Sequence, residues 1–227
     1  MEQKQLITTA RVAGLWYLIL AISGVLGFMI FHSRVFVSND PQATLTNLIN
    51  HESAARIRLL LELVIIISQA LAAVWFYKLF REINAWAAWT LGVWGTINSA
   101  VIMISAISMG AAIEIAKSSA QTFQEKVTLI QLLNNLITHA WGVGNIFFGL
   151  WLIPMGYIVV NSKRMPVWLG RMLIIGGIGY LLSVFTKYTG MNNSLLELLV
   201  IPATVGEFWM IGYLLIYGIR PVMKNEK

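Results

Sequence analysis

The chain has 227 residues, of which 58% are hydrophobic and 11% are charged, and it contains no cysteine. Soluble domains carry about 25% charged residues, so this composition excludes a soluble globular domain, a disordered chain and a disulfide-stabilised secreted module. The lack of cysteine also excludes thiolate zinc sites and cysteine nucleophiles. We therefore predict an all-α, polytopic membrane protein whose net charge of +6 reflects topology and not nucleic-acid binding.

A membrane-spanning helix needs about 20 mostly apolar residues, and six stretches meet this requirement. They run approximately over Ala13–Phe31, Ile57–Tyr77, Trp86–Met109, Leu136–Val160, Val167–Thr186 and Leu195–Tyr217. The first stretch is longer than the apolar region of a typical signal peptide, so we interpret it as a retained span. Residues 1–227 are thus predicted to form a single membrane domain, a bundle of six transmembrane helices.

The distribution of basic residues predicts the orientation of the chain. Six spans place both termini on one side of the membrane, with Lys4, Arg11, Lys78, Arg81, Lys163, Arg164, Arg171, Arg220, Lys224 and Lys227. The opposite side carries the other six of the 16 basic residues. Because Lys and Arg are enriched in cytoplasmic loops, we expect both termini in the cytoplasm.

Two segments between the spans carry helix-start signals. Asp40 precedes Pro41, as an N-cap precedes proline in the first helical turn, and predicts a short amphipathic helix on the outer surface. Its expected apolar stripe is Leu45, Leu48 and Ile49. Before the fourth span, Thr122 and Glu125 form a capping box that starts a helix well outside the membrane. If that helix continues to Val160, it must protrude, tilt or kink at Pro154.

Polar side chains at membrane depth are costly and therefore informative. In the second span Arg58, Glu62 and Gln69 lie within an arc of about 40°, so Arg58 and Glu62 are expected to pair, with Gln69 nearer the bilayer centre. One interpretation is a structural ion pair and an amide that holds helices together. The other is one wall of a binding site.

Later spans add further polar positions. The fourth span places Gln131, Asn135, Thr138, Gly142, Asn145 and Gly149 on one face, with His139 and Asn134 beside it. Such a face forms either a tight helix seam or the wall of a polar cavity. The third span contributes Asn98, and the sixth contributes Glu207 after a predicted helix interruption at Pro202. A capping box of Ser194 and Glu197 suggests a structural role for Glu197.

Depth and helical phase together predict one polar core shared by several spans. The expected ligand-binding residues are Arg58, Glu62, Gln69, Asn98, His139, Asn145 and Glu207. A metal site of His139, Glu62 and Glu207 can be drawn, but no local spacing supports it, and we predict none. The sequence indicates no cofactor and identifies no catalytic residue.

Short motifs across nearly the whole chain carry a family resemblance. They are Arg11-Val-Ala-Gly14-Leu-Trp-Tyr17, Arg56-Ile-Arg58 before Glu62, His139 with Gly142 and Asn145, Phe148-Gly149-Leu, Pro166-x-x-Leu-Gly170, and Pro202 through Glu207. The chain resembles the bacterial six-span membrane proteins of domain-of-unknown-function family 4386. The resemblance implies a six-span architecture and a location in the bacterial inner membrane, but no reaction. It also implies that Arg58, Glu62, His139 and Glu207 occupy positions that the family keeps polar.

Three functional hypotheses remain open at this point. The first is binding or translocation of a small ligand, ion or proton in an intramembrane polar pocket, in a protein that contacts the lipid bilayer and forms homo-oligomers. The second is a membrane-embedded enzyme that acts on a lipid or isoprenoid, with His139 and the glutamates as acid, base or ligands. The third is a non-catalytic partner or sensor protein. We lean towards a protein that is not an enzyme.

Overall fold

The computed structural model describes residues 2–190, 198 and 200–221, and these residues form helices and connecting turns with no strand among them. The helices are α1 (Gln3–Val25), a π-helical continuation (Leu26–His32), α2 (Ser33–Val35), α3 (Pro41–Asn50), α4 (Glu52–Phe80), α5 (Ala85–Lys117), α6 (Phe123–Ser162), α7 (Val167–Tyr188) and α8 (Ile201–Ile216). The all-α prediction is therefore confirmed.

Five helical segments are long and apolar enough to cross a membrane: Gln3–Val35, Glu52–Phe80, Ala85–Lys117, Phe123–Ser162 and Val167–Tyr188. The described part of α8 is apolar but shorter, at 16 residues. The predicted capping box of Ser194 and Glu197 lies outside the described residues. Pro202 lies in the first turn of α8, where its missing N–H needs no partner. Residues 191–197 and 199 lie outside the described residues, so the predicted interruption at this proline stays a prediction.

Helix α6 is one continuous helix of 40 residues that passes through Pro154. At about 1.5 Å per residue it is about 60 Å long, or twice the hydrocarbon thickness of about 30 Å. Its capping box is confirmed, because the Thr122 N–H donates to Glu125 Oε2 at 2.7 Å and the Glu125 N–H donates to Thr122 Oγ1 at 3.4 Å. A helix of this length extends beyond the hydrocarbon core.

Helix α3 starts as predicted, because Asp40 Oδ1 accepts a hydrogen bond of 2.8 Å from the N–H of Ala43. Leu45 and Leu48 are buried. Ile49, the third residue of the predicted stripe, is 50% exposed. Thr44 occupies the buried face instead, and its hydroxyl accepts a hydrogen bond of 3.0 Å from the N–H of Val37. A local polar contact thus replaces the third apolar residue of the stripe.

The chain divides into two compact units, and α1, α4, α5 and α6 contribute residues to both. Unit 1 comprises Met1–Leu18, Gln69–Asn98 and Asn145–Lys227, and unit 2 comprises Ile19–Ser68 and Ser99–Gly144. In unit 2, apolar side chains of α3 pack in one cluster with side chains of α4, α5 and α6, including Leu45, Ala55, Met109 and Ile130.

Glycines set the packing of α6 against α7 in unit 1. A Cβ added at Gly149 would lie 2.6 Å from the carbonyl oxygen of Gly177, and one added at Gly170 would lie 2.7 Å from that of Gly156. The two contacts are seven residues apart on each helix, so the backbones remain close over two turns. Small residues permit such close approach in membranes, and at Gly149 the structure has the tight helix seam that was one of the two alternatives for this face.

Gly170→Ala is expected to destabilise the protein by about 1–3 kcal/mol, because the new methyl group must push the α6 backbone away. Gly212→Ala is the matched control, since a Cβ at Gly212 meets nothing within 4 Å and alanine favours a helix by about 1 kcal/mol over glycine. Thermal unfolding in detergent micelles would compare the two variants. Equal stability of the variants would contradict the close-packing interpretation.

Candidate functional site

The predicted ion pair between Arg58 and Glu62 is present in unit 2 and is fully buried. Each residue is only 1% exposed. Arg58 Nη1 donates to Glu62 Oε2, and Nη2 lies 3.5 Å from Glu62 Oε1. Their separation of four residues on α4 places the two side chains on one helix face. The pair is therefore a local product of the sequence, but its burial depends on the surrounding helices.

An aromatic cage encloses the arginine. The Arg58 guanidinium carbon lies 5.3 Å from the ring centre of Phe28 and 5.9 Å from that of Phe36. Arg58 Nε also donates to His32 Nδ1 at 3.3 Å, and the His32 ring stacks on Phe36 at 4.7 Å. Phe28 and His32 belong to the π-helical continuation of α1. These contacts combine cation–π attraction with a hydrogen bond.

The carboxylate of the pair is held by a tryptophan from α6. Trp141 Nε1 donates to Glu62 Oε1 at 2.9 Å and lies 3.1 Å from Ser105 Oγ on α5. The Phe28 ring packs edge-on against Trp141 at 4.4 Å. Both carboxylate oxygens of Glu62 thus have partners, which is the condition for burying an ion pair at tolerable cost. This geometry favours a structural role for Arg58 and Glu62.

Unit 1 contains a different polar group around Glu207. Tyr17 Oη donates a hydrogen bond of 2.6 Å to Glu207 Oε1. Tyr17 is 2% exposed, and its ring contacts Phe76 at 5.6 Å and Trp151 at 5.7 Å. Glu207 is half-buried in the middle of α8. Its described hydrogen-bond partner is a neutral hydroxyl and not a cation.

Two buried amides, Gln69 on α4 and Asn98 on α5, also belong to unit 1. Both side chains are fully buried, and neither amide has a hydrogen-bond partner among the residues that the structure describes. Ala73 packs against Gly95 across the α4–α5 hairpin. Gln69 lies one turn before Ala73 on α4, and Asn98 lies about one turn after Gly95 on α5. Because the two helices of the hairpin are antiparallel, Gln69 and Asn98 lie at the same height along the helix axes.

Trp151 packs between the α4–α5 hairpin, which carries the two amides, and Tyr17. Its ring packs on the face of Gly95, where no side chain could be added without displacing it, and it also touches Tyr17. Trp151 is 1% exposed. Asn145, one of the predicted site residues on α6, belongs to the same unit and is half-buried. Unit 1 thus contains four of the seven predicted residues: Gln69, Asn98, Asn145 and Glu207.

The polar face predicted for the fourth span does not line one cavity. Gln131, Asn135, Thr138 and His139 are exposed, whereas Gly142 and Gly149 are buried. Three amides of this face, at Gln131, Asn134 and Asn135, instead line a pocket of about 190 Å³ in unit 2 together with residues 37–44. The sequence hypothesis of a tight seam therefore applies to the later part of the face.

His139 was the histidine expected at the site, but His32 is the one that contacts the ion pair. Sequence reasoning missed His32 and Trp141 because both reach the pair from other helices. No three His, Asp or Glu side chains of the described residues come close enough to hold a metal ion. Of the residues in the alternative metal site, Glu62 and His139 belong to unit 2 and Glu207 belongs to unit 1.

We expect Arg58→Met to lower the free energy of unfolding by about 3–5 kcal/mol, because it leaves the Glu62 carboxylate buried without its cation. The double variant Arg58→Met, Glu62→Leu should recover most of that loss, since apolar side chains of similar volume replace the pair. Thermal or denaturant unfolding in micelles measures both. Additive losses in the double variant would contradict the paired arrangement.

Comparisons with known proteins identify a family but add no reaction. An "Uncharacterized protein" of Archaeoglobus fulgidus is 38% identical over 48 residues, which cover 21% of this chain and 30% of that protein. The chain thus matches less than a third of this relative's length. No solved structure matches. The model of the family "Domain of unknown function (DUF4386)" matches residues 12–218, and the chain therefore belongs to this family.

Proposed function

We propose that the protein is a six-span membrane protein that binds and translocates a proton or another small cation through the polar group of unit 1. The observation that carries the proposal is the pair of amides at Gln69 and Asn98, which are buried without partners among the described residues. Glu207 would supply the negative charge, and Tyr17 would orient its carboxylate.

The amides support this proposal on energetic grounds. A buried polar group without a hydrogen bond costs about 1–3 kcal/mol, and Gln69 and Asn98 carry four such atoms. Leucine at either position would avoid the cost. Buried polar groups that lower stability and make no stabilising hydrogen bond are typical of functional sites, where activity and stability compete. Their amide oxygens are also suitable ligands for a hard cation.

The chemistry of Glu207 points in the same direction. Charged residues at membrane depth mark ion pathways and proton relays. Unlike Glu62, which is bound to arginine, Glu207 accepts its hydrogen bond from Tyr17. A carboxylate held by a neutral hydroxyl keeps its charge available to a cation. The group can therefore accept and release a proton without first breaking an ion pair.

A cytoplasmic position for both termini, with α8 as the sixth span, completes the proposed topology. Arg164 Nε, in the turn between α6 and α7, donates to the carbonyl oxygen of Arg220 at 2.6 Å. Gln3 Nε2 donates to the carbonyl oxygen of Ile219 at 2.7 Å. These contacts within unit 1 hold the two ends of the described chain beside one turn, which supports an even number of spans.

Single cysteines test the topology without background, because the chain has none of its own. Glu82→Cys, in the α4–α5 turn, should react with a membrane-impermeant maleimide only after the cells are permeabilised. Ser119→Cys, between α5 and α6, should react in intact cells. Reaction of Glu82→Cys in intact cells would reverse the proposed orientation.

Proteoliposomes test the transport proposal directly. With a pH-sensitive dye inside and a potassium diffusion potential across the membrane, the purified protein should increase proton entry above that of empty liposomes. Sodium and potassium fluxes are measured in parallel with the corresponding indicators. Glu207→Gln should abolish the flux, because the glutamine amide takes up no proton near neutral pH and supplies no negative charge, and the variant should still fold.

The amide residues provide a second arm of the same experiment. Asn98→Leu should abolish the flux while raising the free energy of unfolding by about 1–3 kcal/mol, since it removes an unsatisfied buried group. Thr96→Val is the control on the same helix, because the Thr96 hydroxyl donates only within its own helix, to Gly92 O at 2.8 Å. This control should keep the wild-type flux.

Two outcomes would overturn the proposal. One is a wild-type flux of every tested cation equal to that of empty liposomes. The other is a flux that persists unchanged in Glu207→Gln. The latter result, with every cellular phenotype also intact, would favour the non-catalytic partner or sensor hypothesis.

A further inference from the structure

An apolar groove runs along the α4–α5 hairpin in unit 1. It has a volume of about 350 Å³ and is lined by Ala73, Val74 and Tyr77 of α4 and by Trp89, Gly92 and Thr96 of α5, among others. That volume is at the lower end of the range for ligand pockets, about 300–1,000 Å³. The one hydroxyl that α5 contributes, on Thr96, is bonded within its helix, so the groove suits a hydrocarbon chain.

Small residues create the groove, and aromatic residues form its edges. Gly92 faces the Tyr77 Cβ and the Ala73 carbonyl oxygen, at 3.4 and 3.8 Å from an added Cβ. Trp89 is 51% exposed and stacks on Trp86 at 5.3 Å. Tryptophan is typical of the membrane–water boundary. The groove therefore begins at this boundary and continues into the hydrocarbon core.

The length of the groove fits one leaflet of a bilayer. Trp89 and Ile97, at the two ends of the lining, are eight positions apart on α5, which corresponds to about 12 Å along the helix. Half of the hydrocarbon core is about 15 Å. An acyl chain that enters at the boundary could thus lie in the groove over most of its leaflet.

The boundary end of the groove carries positive charge. The N–H of Arg81 donates to the carbonyl oxygen of Tyr77 at 2.9 Å, so the helical register continues and Arg81 follows Tyr77 on the same face. Lys78 is exposed, and its ammonium lies 4.5 Å from the ring centre of Trp75. With Glu82 in the same turn, the end of the hairpin retains a net positive charge.

We propose that this groove binds an anionic phospholipid, with one acyl chain between α4 and α5 and the headgroup phosphate at Lys78 and Arg81. Basic clusters between helices at the membrane surface recognise anionic headgroups. A second copy of the chain fits less well. In a two-fold dimer within one membrane, the same residues meet across the axis, so the cations of both copies would face each other.

Native mass spectrometry in a mild detergent tests the proposal with two lipids that share dioleoyl chains, phosphatidylglycerol and phosphatidylcholine. The wild type should bind phosphatidylglycerol more tightly, by roughly fivefold for each cation that contacts the headgroup. The double variant Lys78→Gln, Arg81→Gln should lose this preference and bind both lipids alike. Its cation flux in proteoliposomes should remain at the wild-type level, because these residues lie outside the proposed transport site.

Control variants separate the groove from general charge effects. Arg171 is exposed and lies over Trp168 at 4.7 Å in the same unit, but it belongs to α7, whereas the groove is lined by α4 and α5, so Arg171→Gln should keep the preference. Gly92→Leu should weaken the binding of both lipids by filling the groove. Gly92→Ala should retain both, since its methyl group makes only ordinary contacts.

Three results would overturn the lipid site. They are equal affinity of the wild type for the two lipids, an equal loss of preference in Arg171→Gln and the double variant, and unchanged lipid binding in Gly92→Leu. A dimer that disappears in Gly92→Leu, while lipid binding stays the same, would assign the groove to a second copy of the chain instead.

Discussion

The organisation of unit 2 depends on one constraint, which is that the buried charges of Arg58 and Glu62 must be satisfied by protein groups. Water cannot supply these contacts at 1% exposure, so the π-helical continuation of α1 provides Phe28 and His32, and α6 provides Trp141. A buried pair adds little net stability but is costly to break. It therefore acts mainly on specificity, because an arrangement of α1, α4 and α6 that moved these partners away would leave the pair buried without its hydrogen bonds to His32 and Trp141.

Unit 1 is held together by different forces, and it contains buried polar groups without hydrogen-bond partners among the described residues. Its α6–α7 contact depends on backbone proximity at glycine pairs such as Gly149 and Gly177, where dispersion and not charge provides the attraction. This packing is compatible with the buried amides of Gln69 and Asn98, which have no hydrogen-bond partner among the described residues. Unit 2 thus provides partners for both charges of its buried ion pair. Unit 1, in contrast, leaves the amides of Gln69 and Asn98 without partners among the described residues. The contrast is the physical basis for placing the proposed transport site in unit 1.

Sequence reasoning predicted what is decided locally. The Arg58–Glu62 pair, the Thr122–Glu125 capping box and the Asp40 N-cap all follow from spacings of three or four residues, and all are present. It failed where tertiary contacts decide. Helical phase placed His139 on a polar face but could not tell that this face is exposed, and nothing near Arg58 in sequence pointed to Trp141. The positions of Gln69 and Asn98 near the middle of their spans predicted that they are buried. That they have no hydrogen-bond partner among the described residues depends on neighbouring helices and is visible only in the structure.

The pairing of Glu207 with the neutral hydroxyl of Tyr17 has an electrical consequence. In the proposed topology, with α8 as the sixth span, an ionised Glu207 would place a charge without a cationic partner within the transmembrane field, where one charge moved across 100 mV changes energy by about 2.3 kcal/mol. A cation that reaches this carboxylate from one side crosses part of the potential drop, so occupancy of the site should depend on voltage. The Arg58–Glu62 pair carries opposite charges on adjacent turns, and its net response to the same field is close to zero.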